Sequence, residues 1–466
     1  SVMSKIEVDA IDKQSGSTLT IGGSGTAVTL ACGATQTGFG RTGTVNWITT
    51  KKTTAFTAAN GEGYFVDTAA SGAVTMTLPA SPSAGNIVGV KDYNGNFGTA
   101  NLTIARNGSP INGGSVADVT ISTAGASIFL VYVDATQGWV ATQDDASTFS
   151  GESFISATGG TITACGADRI HTFTGPGTFC VSSLATCAAN NLVSYLVVAG
   201  GGAAAGIGSN NSSMGGGGAG GFRETKSPST TYTASPLDGY PTPSNRITVT
   251  ATNFPITVGA GGSGGSSGLG NMGTSGGVST FSTISSAGGG FGSGYQSPGP
   301  GWVPGATGGS GGGGGFCRNG SAGNTPSTTP PQGNAGGNGL TTPGKCGSAG
   351  GGGAGAAGTS PPGSCHGVVG GIGAVTGIAP ASGTPGPQSG RYFAGGGSGA
   401  PFQQPPSIPG TAGGGGGNTN GPSGGAGENG TDNTGGGAGG TNSAPGQNFG
   451  GANGGSGIVV IRYKVQ

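Results

Sequence analysis

At 466 residues the chain is long enough for several domains, yet only 32% of it is hydrophobic and 7% charged, too little for ordinary apolar cores throughout. Sixteen Lys and Arg balance sixteen Asp and Glu, so no summed positive field draws phosphate backbones or anionic headgroups, and neither nucleic acid nor membrane insertion is expected. The strongest apolar run, Leu192 to Ala199, has strand length rather than the roughly 20 residues of a membrane span.

The start, Ser1-Val2-Met3-Ser4-Lys5, carries no apolar signal core, so assembly in a cytosol is expected. Seven cysteines (Cys32, Cys165, Cys180, Cys187, Cys317, Cys346 and Cys365) are odd in number and unevenly spaced. They do not make a secreted disulfide framework, and mostly free thiols are expected, with Cys180–Cys187 and a pair among Cys317, Cys346 and Cys365 able to oxidise after release.

Residues 1–46 hold short alternating runs, Ile6-Glu7-Val8, Thr18-Leu19-Thr20-Ile21 and Ala27-Val28-Thr29-Leu30, between Gly-Ser turns. Period-two alternation predicts strands, and so small a segment closes no core alone. A trimeric β-prism or attachment stalk would bury those rows. A strand-rich flap on the next domain is the alternative.

Residues 47–145 continue with Tyr64-Phe65-Val66, Val74-Thr75-Met76-Thr77-Leu78, Ile87-Val88-Gly89-Val90, Leu102-Thr103-Ile104, Val119-Thr120-Ile121, Ile128 to Val133 and Trp139-Val140. Asn94-Gly95, Asn107-Gly108 and Asn112-Gly113 mark turns, and the pattern predicts a small antiparallel sandwich or roll. Tyr64-Phe65-Val66-Asp67-Thr68, Val74 to Pro79, Gly85 to Asp92 and Asn101 to Ile104 together resemble a module of marine phage tail fibres, over about a hundred residues. The resemblance implies membership of a virion and no catalytic activity.

Residues 146–188 read as a β connector, with Thr161-Ile162-Thr163, Ile170 to Phe173 and Phe179-Cys180-Val181 as strands. Beyond them the composition changes: 26 of the 112 glycines precede residue 189, and the other 86 lie in the 278 residues that follow. Runs such as Gly215 to Gly218 and Gly311 to Gly315 break the collagen period. Polyglycine II fits instead, an extended left-handed threefold helix whose N–H and C=O groups must be satisfied by neighbouring helices. Candidate helices are Gly259 to Gly265, Ala287 to Gly290, Gly308 to Gly315, Gly347 to Gly355, Ala394 to Gly397, Gly413 to Gly417 and Gly435 to Gly440.

Ordering glycine costs more entropy than ordering any other residue, so such a bundle needs an apolar clamp. Val193 to Ala199 enters the region and Ile458 to Val465 leaves it. These two are expected to pair or share a sheet, with Ile247 to Val249 and Ile256 to Val258 as further members. Tyr195 to Gly202, Ser285 to Gly290 and Ser456 to Tyr463 resemble the glycine-rich tip domains of marine and enteric phage adhesins, over about 280 residues. That resemblance implies a rigid polyglycine sandwich whose turns recognise a host surface protein or glycan.

Catalytic motifs are weak. Gly339 to Cys346 nearly matches a phosphate-binding loop, but Cys346 replaces the magnesium-binding hydroxyl. The two histidines, His171 and His366, have no acid beside them in sequence to complete a Ser-His-Asp relay. His366 beside Cys365 makes two metal ligands at most, and Glu428 and Asp432 read as a solvated turn. No enzyme, cofactor or metal is expected.

Aromatic residues in the turns are the candidate receptor contacts, because a glycine scaffold offers few other large apolar surfaces. They are Tyr240, Tyr295, Trp302, Tyr392, Phe393 and Phe402. Each has the alternative role of capping a bundle edge. The whole reading is an all-β, elongated, multi-domain homotrimeric fibre of a phage virion, joined to other virion proteins and ending in a glycine-rich tip at 189–466. Its rivals are a decoration fibre, an ice-binding protein and a depolymerase.

Overall fold

The computed structural model describes residues 45–465, apart from residues 71, 114–117, 145–153, 209–212, 269–270, 297–300, 341–346, 364–365, 389, 402–409, 416–423 and 444–445. The expected stalk and the trimer inferred from its strands lie outside this set, except for residues 45 and 46. Among the described residues the regular elements are strands and two short 3-10 turns, and the chain is all-β. It divides into two compact units, Ser1–Phe149 and Ser150–Gln466.

The first unit runs β1 (Asn46–Lys52), β2 (Phe56–Thr57), β3 (Glu62–Val66), β4 (Val74–Thr77), β5 (Ile87–Asp92), β6 (Leu102–Ala105), β7 (Val119–Ile121), β8 (Ser127–Tyr132) and β9 (Trp139–Asp144). One sheet has the order β1-β3-β5-β8-β9 and the other β2-β4-β6-β7. Period-two alternation sends Tyr64, Val66, Val88, Val90, Ile128 and Leu130 from one sheet, and Val74, Met76, Leu102, Ile104, Val119 and Ile121 from the other, into a single core.

The strand directions differ from the antiparallel expectation. β1, β3 and β5 are parallel to one another, and so are β2, β4 and β6, because the chain steps from one sheet to the other at each turn and so coils. Asn94-Gly95 is accordingly a corner between sheets. The Asp92 carboxylate builds it by accepting the N–H groups of Gly95, Asn96, Phe97 and Gly125 at 2.9–3.2 Å. Only Asn107-Gly108 and Asn112-Gly113, with left-handed backbone at all four residues, lie in the connection of an antiparallel pair, β6–β7.

The second unit continues with β10 (Ser156–Thr158), β11 (Thr161–Cys165), β12 (Asp168–Phe173), β13 (Gly177–Ser183), β14 (Leu192–Val198), β15 (Phe222–Thr225), β16 (Ile247–Thr248) and β17 (Asn253–Thr257). Then come β18 (Ser279–Phe281), β19 (Ile284–Ser286), β20 (Gly294–Gln296), β21 (Gly301–Val303), β22 (Ala374–Thr376), β23 (Arg391–Phe393) and β24 (Ile458–Lys464). A six-stranded sheet has the order β11-β12-β24-β14-β15 with β16 added to β14, and a five-stranded sheet the order β10-β13-β17-β18-β19.

The entering and leaving apolar strands do pair, antiparallel from Ser194 opposite Arg462 to Val198 opposite Ile458, and Ile247 joins them opposite Val193. Ile256, expected on the same sheet, lies on the five-stranded one opposite Phe281. The strands read from sequence as a connector belong to these sheets as well: β12 pairs along β24 and β13 along β17. Between the sheets Phe179, Tyr195, Phe281, Val459, Ile461 and Tyr463 form the core, each buried side chain contributing roughly 1.5–3 kcal/mol. Its edge-to-face rings, such as Tyr195–Phe281 at 5.9 Å, add to that.

The glycine runs grow out of this clamp. Residues 199–207 make no hydrogen bond within themselves, and their donors rotate among three neighbours with period three. Gly200, Ala203 and Gly206 donate to Gly277, Thr274 and Asn271; Gly201, Ala204 and Ile207 donate to Gly455, Ala452 and Phe449; Ala199 and Gly202 donate to Gly221 and Gly218. Their carbonyls accept from three further runs, through Gly262, Gly289 and Ala438 among others. Six surrounding helices with a threefold repeat make this a polyglycine II lattice, and it satisfies the backbone groups that lack an internal partner. The spacing excludes side chains: a Cβ built on Gly217 would overlap the carbonyl oxygen of Gly202, and one on Gly397 that of Ala438.

Candidate binding surface

The hydrogen-bond register also gives each run a direction. Residues 199–207 leave the six-stranded sheet and 214–222 return to it, since Gly202 faces Gly218 and Ala199 faces Gly221. Residues 271–277 and 449–457 likewise return, into β18 and β24. The last residues of the outward runs and the first of the inward ones therefore collect at the end of the bundle remote from the sheets.

At that end an apolar cluster closes the lattice. The β20–β21 hairpin places Tyr295 opposite Trp302, with ring centroids 5.3 Å apart and nearly perpendicular. Phe316, which follows the run ending at Gly315, lies 5.1 Å from the Trp302 ring. Ala205, Ile207 and Met214 are buried beneath, and Met272, Tyr295, Trp302 and Phe449 pack on them half-buried. These rings and the Met272 thioether each leave part of their surface outside and together form an apolar platform able to take a contact.

Of the other sequence candidates, Phe402 lies outside the described residues. Tyr240 stands at the opposite end, its ring 4.3 Å from the Arg246 guanidinium, in the segment of residues 226–246 that crosses the six-stranded sheet. Tyr392 and Phe393 on β23 are 2% and 0% exposed, so they fill the core as edge caps and offer a partner no surface. Sequence reasoning passed over Met272, Phe316 and Phe449. Phe316 and Phe449 did carry a signal, as large residues set directly against glycine runs.

Several polar groups of the unit that sequence reasoning considered for chemistry are engaged in its fold. Both His171 ring nitrogens are held, by the Gly159 carbonyl at 2.7 Å and the Tyr463 hydroxyl at 2.9 Å, and burial pushes its pKa down. Burial raises the Tyr195 hydroxyl to about 12; it donates to the Asn245 carbonyl at 2.6 Å. Asp432 accepts the Ser456 N–H. Among the described residues no three His, Cys, Asp or Glu side chains gather as metal ligands, and Cys165, Cys180, Cys187 and Cys317 are free thiols. The near phosphate-loop match falls largely on undescribed residues. No helix among the described residues is long and apolar enough to cross a membrane.

Lattice, sheets and remote apolar end define a β-clamped polyglycine II bundle. A family profile described as a glycine-rich domain matches residues 172–464, and the chain belongs to that family. No curated protein matches the chain.

Proposed function

We propose that this chain is a bacteriophage tail fibre or receptor-binding adhesin, without enzymatic activity, whose glycine bundle presents its remote turns to a host surface protein or glycan. The observation that carries the reading is the half-buried platform of Tyr295, Trp302 and Phe316 at the end of the bundle away from its clamp. A lattice held by backbone hydrogen bonds is rigid, so the turns lose little further freedom on binding, and preorganisation of that kind raises affinity. The likeness of the sequence to phage tip domains and tail-fibre modules supports the virion setting, with assembly in the host cytoplasm. A homotrimer joined to other virion proteins is part of the same proposal.

Binding of the full chain to intact candidate host cells tests it, before and after treatment of the cells with protease or periodate. Saturable binding lost after one treatment supports an adhesin and gives the receptor class. Absence of binding to every susceptible host replaces the reading with that of a decoration fibre.

A further inference from the structure

Glu224 on β15 lies far from the remote platform and is 2% exposed. Its Oε2 accepts the Ser235 N–H at 2.9 Å and its Oε1 the Thr376 hydroxyl at 2.5 Å. Ser235 belongs to the strap of residues 226–246 and Thr376 to the β22–β23 hairpin. These two pieces cover the outer face of the six-stranded sheet: Tyr232 and Leu237 from the strap, and Ala374, Ile378 and Phe393 from the hairpin, pack over Leu196, Val198, Phe222 and Val460.

Arg462 makes the same two attachments, to the Thr231 carbonyl of the strap and to the Gly377 and Ile378 carbonyls after β22, but its charge is balanced by Asp168. Among the described residues Glu224 has no such counter-ion. Burial and the Asp238 carboxylate favour its protonated form, the Ser235 and Thr376 hydrogen bonds favour the ionised one, and burial prevails; Tyr232 faces it from the strap with its hydroxyl held neutral. Nearby cations are engaged elsewhere. Arg391 bonds the Ser382 and Gly383 carbonyls, Lys226 stands 5.8 Å from the Tyr232 ring, and Arg223 bonds Asn245. Strap and hairpin also share a seam, a cleft of about 240 Å³ lined by Pro236, Leu237, Val375, Gln388 and Tyr392.

We propose that Glu224 is a proton-operated latch: protonated, it holds strap and hairpin closed on the sheet, and ionised, it lets them part along the seam and opens the sheet's apolar outer face. Ionising an unpaired buried carboxylate is costly in place, and opening hydrates it. Consistent with this, burial pushes its pKa from 4.5 up to about 7. The closed form binds the proton more tightly than the open one. Closure is therefore strongest below pH 4.5, weakens as the pH rises to 7, and changes little beyond; the opening equilibrium shifts by up to about two orders of magnitude.

Hydrogen exchange of the full chain at pH 4.5 and 7.5, corrected for intrinsic rates, reads this directly. In the unaltered chain, protection of residues 227–242 and 374–393 is expected to fall at least about tenfold at the higher pH, while residues 199–207 stay protected. Glu224→Gln, which mimics the protonated form, should keep both segments equally protected at both pH values. Equal protection in the unaltered chain, or an equal loss in Glu224→Gln, overturns the latch. If that variant loses protection across residues 199–207, the infrared carboxyl band of the unaltered chain decides: a buried carboxyl titrating near neutral pH supports the proposal, and its absence sinks it.

Discussion

Arg462 and Asp168, 294 positions apart, meet through an ion pair of 2.8 Å in which both side chains are at most 2% exposed. Asp168 opens the second strand of the six-stranded sheet and Arg462 lies near the end of the last, so the bond is available only when β12 and β24 have paired along their full length. The guanidinium then holds Asp168, the strap and the turn after β22 at one point. A buried pair of this kind is costly to form and costlier to break, because removing one partner strands the other charge in a low dielectric.

Arg462→Ala should accordingly destabilise the second unit by about 3–5 kcal/mol, seen as a lower midpoint in denaturant melts of the full chain. Replacing both residues with apolar ones of similar volume, Asp168→Leu with Arg462→Met, should lose less than the single change. Equal losses would mean that the pair acts through packing rather than charge.

The lattice makes an unusual forecast for glycine. In most settings Gly→Ala at an accessible backbone conformation is neutral or stabilising by up to about 1 kcal/mol, through the unfolded chain. At Gly217 and Gly397 the added methyl meets a neighbouring carbonyl oxygen, so Gly217→Ala and Gly397→Ala should each cost about 1–3 kcal/mol or more by overpacking. Gly175→Ala, where a methyl meets nothing within 4 Å, is the control and should leave the melting midpoint in place. A bundle that tolerates alanine at all three positions would not be packed as described.

These relationships differ in how far the sequence announces them. The clamp is legible because Val193 to Ala199 and Ile458 to Val465 are the longest apolar runs bordering the glycine region, and both had to be buried somewhere. Glycine density likewise points to polyglycine helices, but not to which run lies beside which. Gly200 and Gly201 are identical in type yet donate to runs more than 170 residues apart, and nothing local distinguishes them. The coil of the first unit was hidden for a related reason: strand periodicity reports which face is buried and carries no information on strand direction. On the candidate binding surface, Tyr295 and Trp302 were legible as a pair of aromatics close in sequence between glycine runs. Tyr392 and Phe393 had the same signature, and only the packing of β23 onto the outer face of the six-stranded sheet separates the two cases.

His171 and Glu224 should make the stability of the second unit respond to pH in opposite senses. The folded pKa of His171 lies below its ordinary 6.5, chiefly through burial, so its contribution is present above pH 6.5 and is lost as the pH falls through the folded value. Glu224 contributes in the acid range and loses that contribution between pH 4.5 and 7. In a Glu224→Gln background, stability should therefore fall as the pH is lowered from 7.5 to 5. Adding His171→Gln should flatten that slope while lowering stability throughout, since the Gly159 and Tyr463 bonds are altered with it. A slope that survives the second substitution would have to arise in other groups.

The platform is the prediction nearest to function. Tyr295, Trp302 and Phe316 pack ring to ring on a rigid base, and aromatic anchors of this type carry a disproportionate share of interface energy, about 2 kcal/mol or more each on truncation. Tyr295→Ala with Trp302→Ala should thus weaken host-cell binding by roughly thirtyfold or more. The melting of the clamp should change little, because both residues stand at the far end of the bundle and are only half-buried. Tyr240→Ala, at the sheet end against Arg246, should leave binding intact. Loss of binding in Tyr240→Ala with retention in the double variant would move the contact surface to the strap. Loss in both, accompanied by a lower melting midpoint, would show that the variants had disturbed the fold and not the contact.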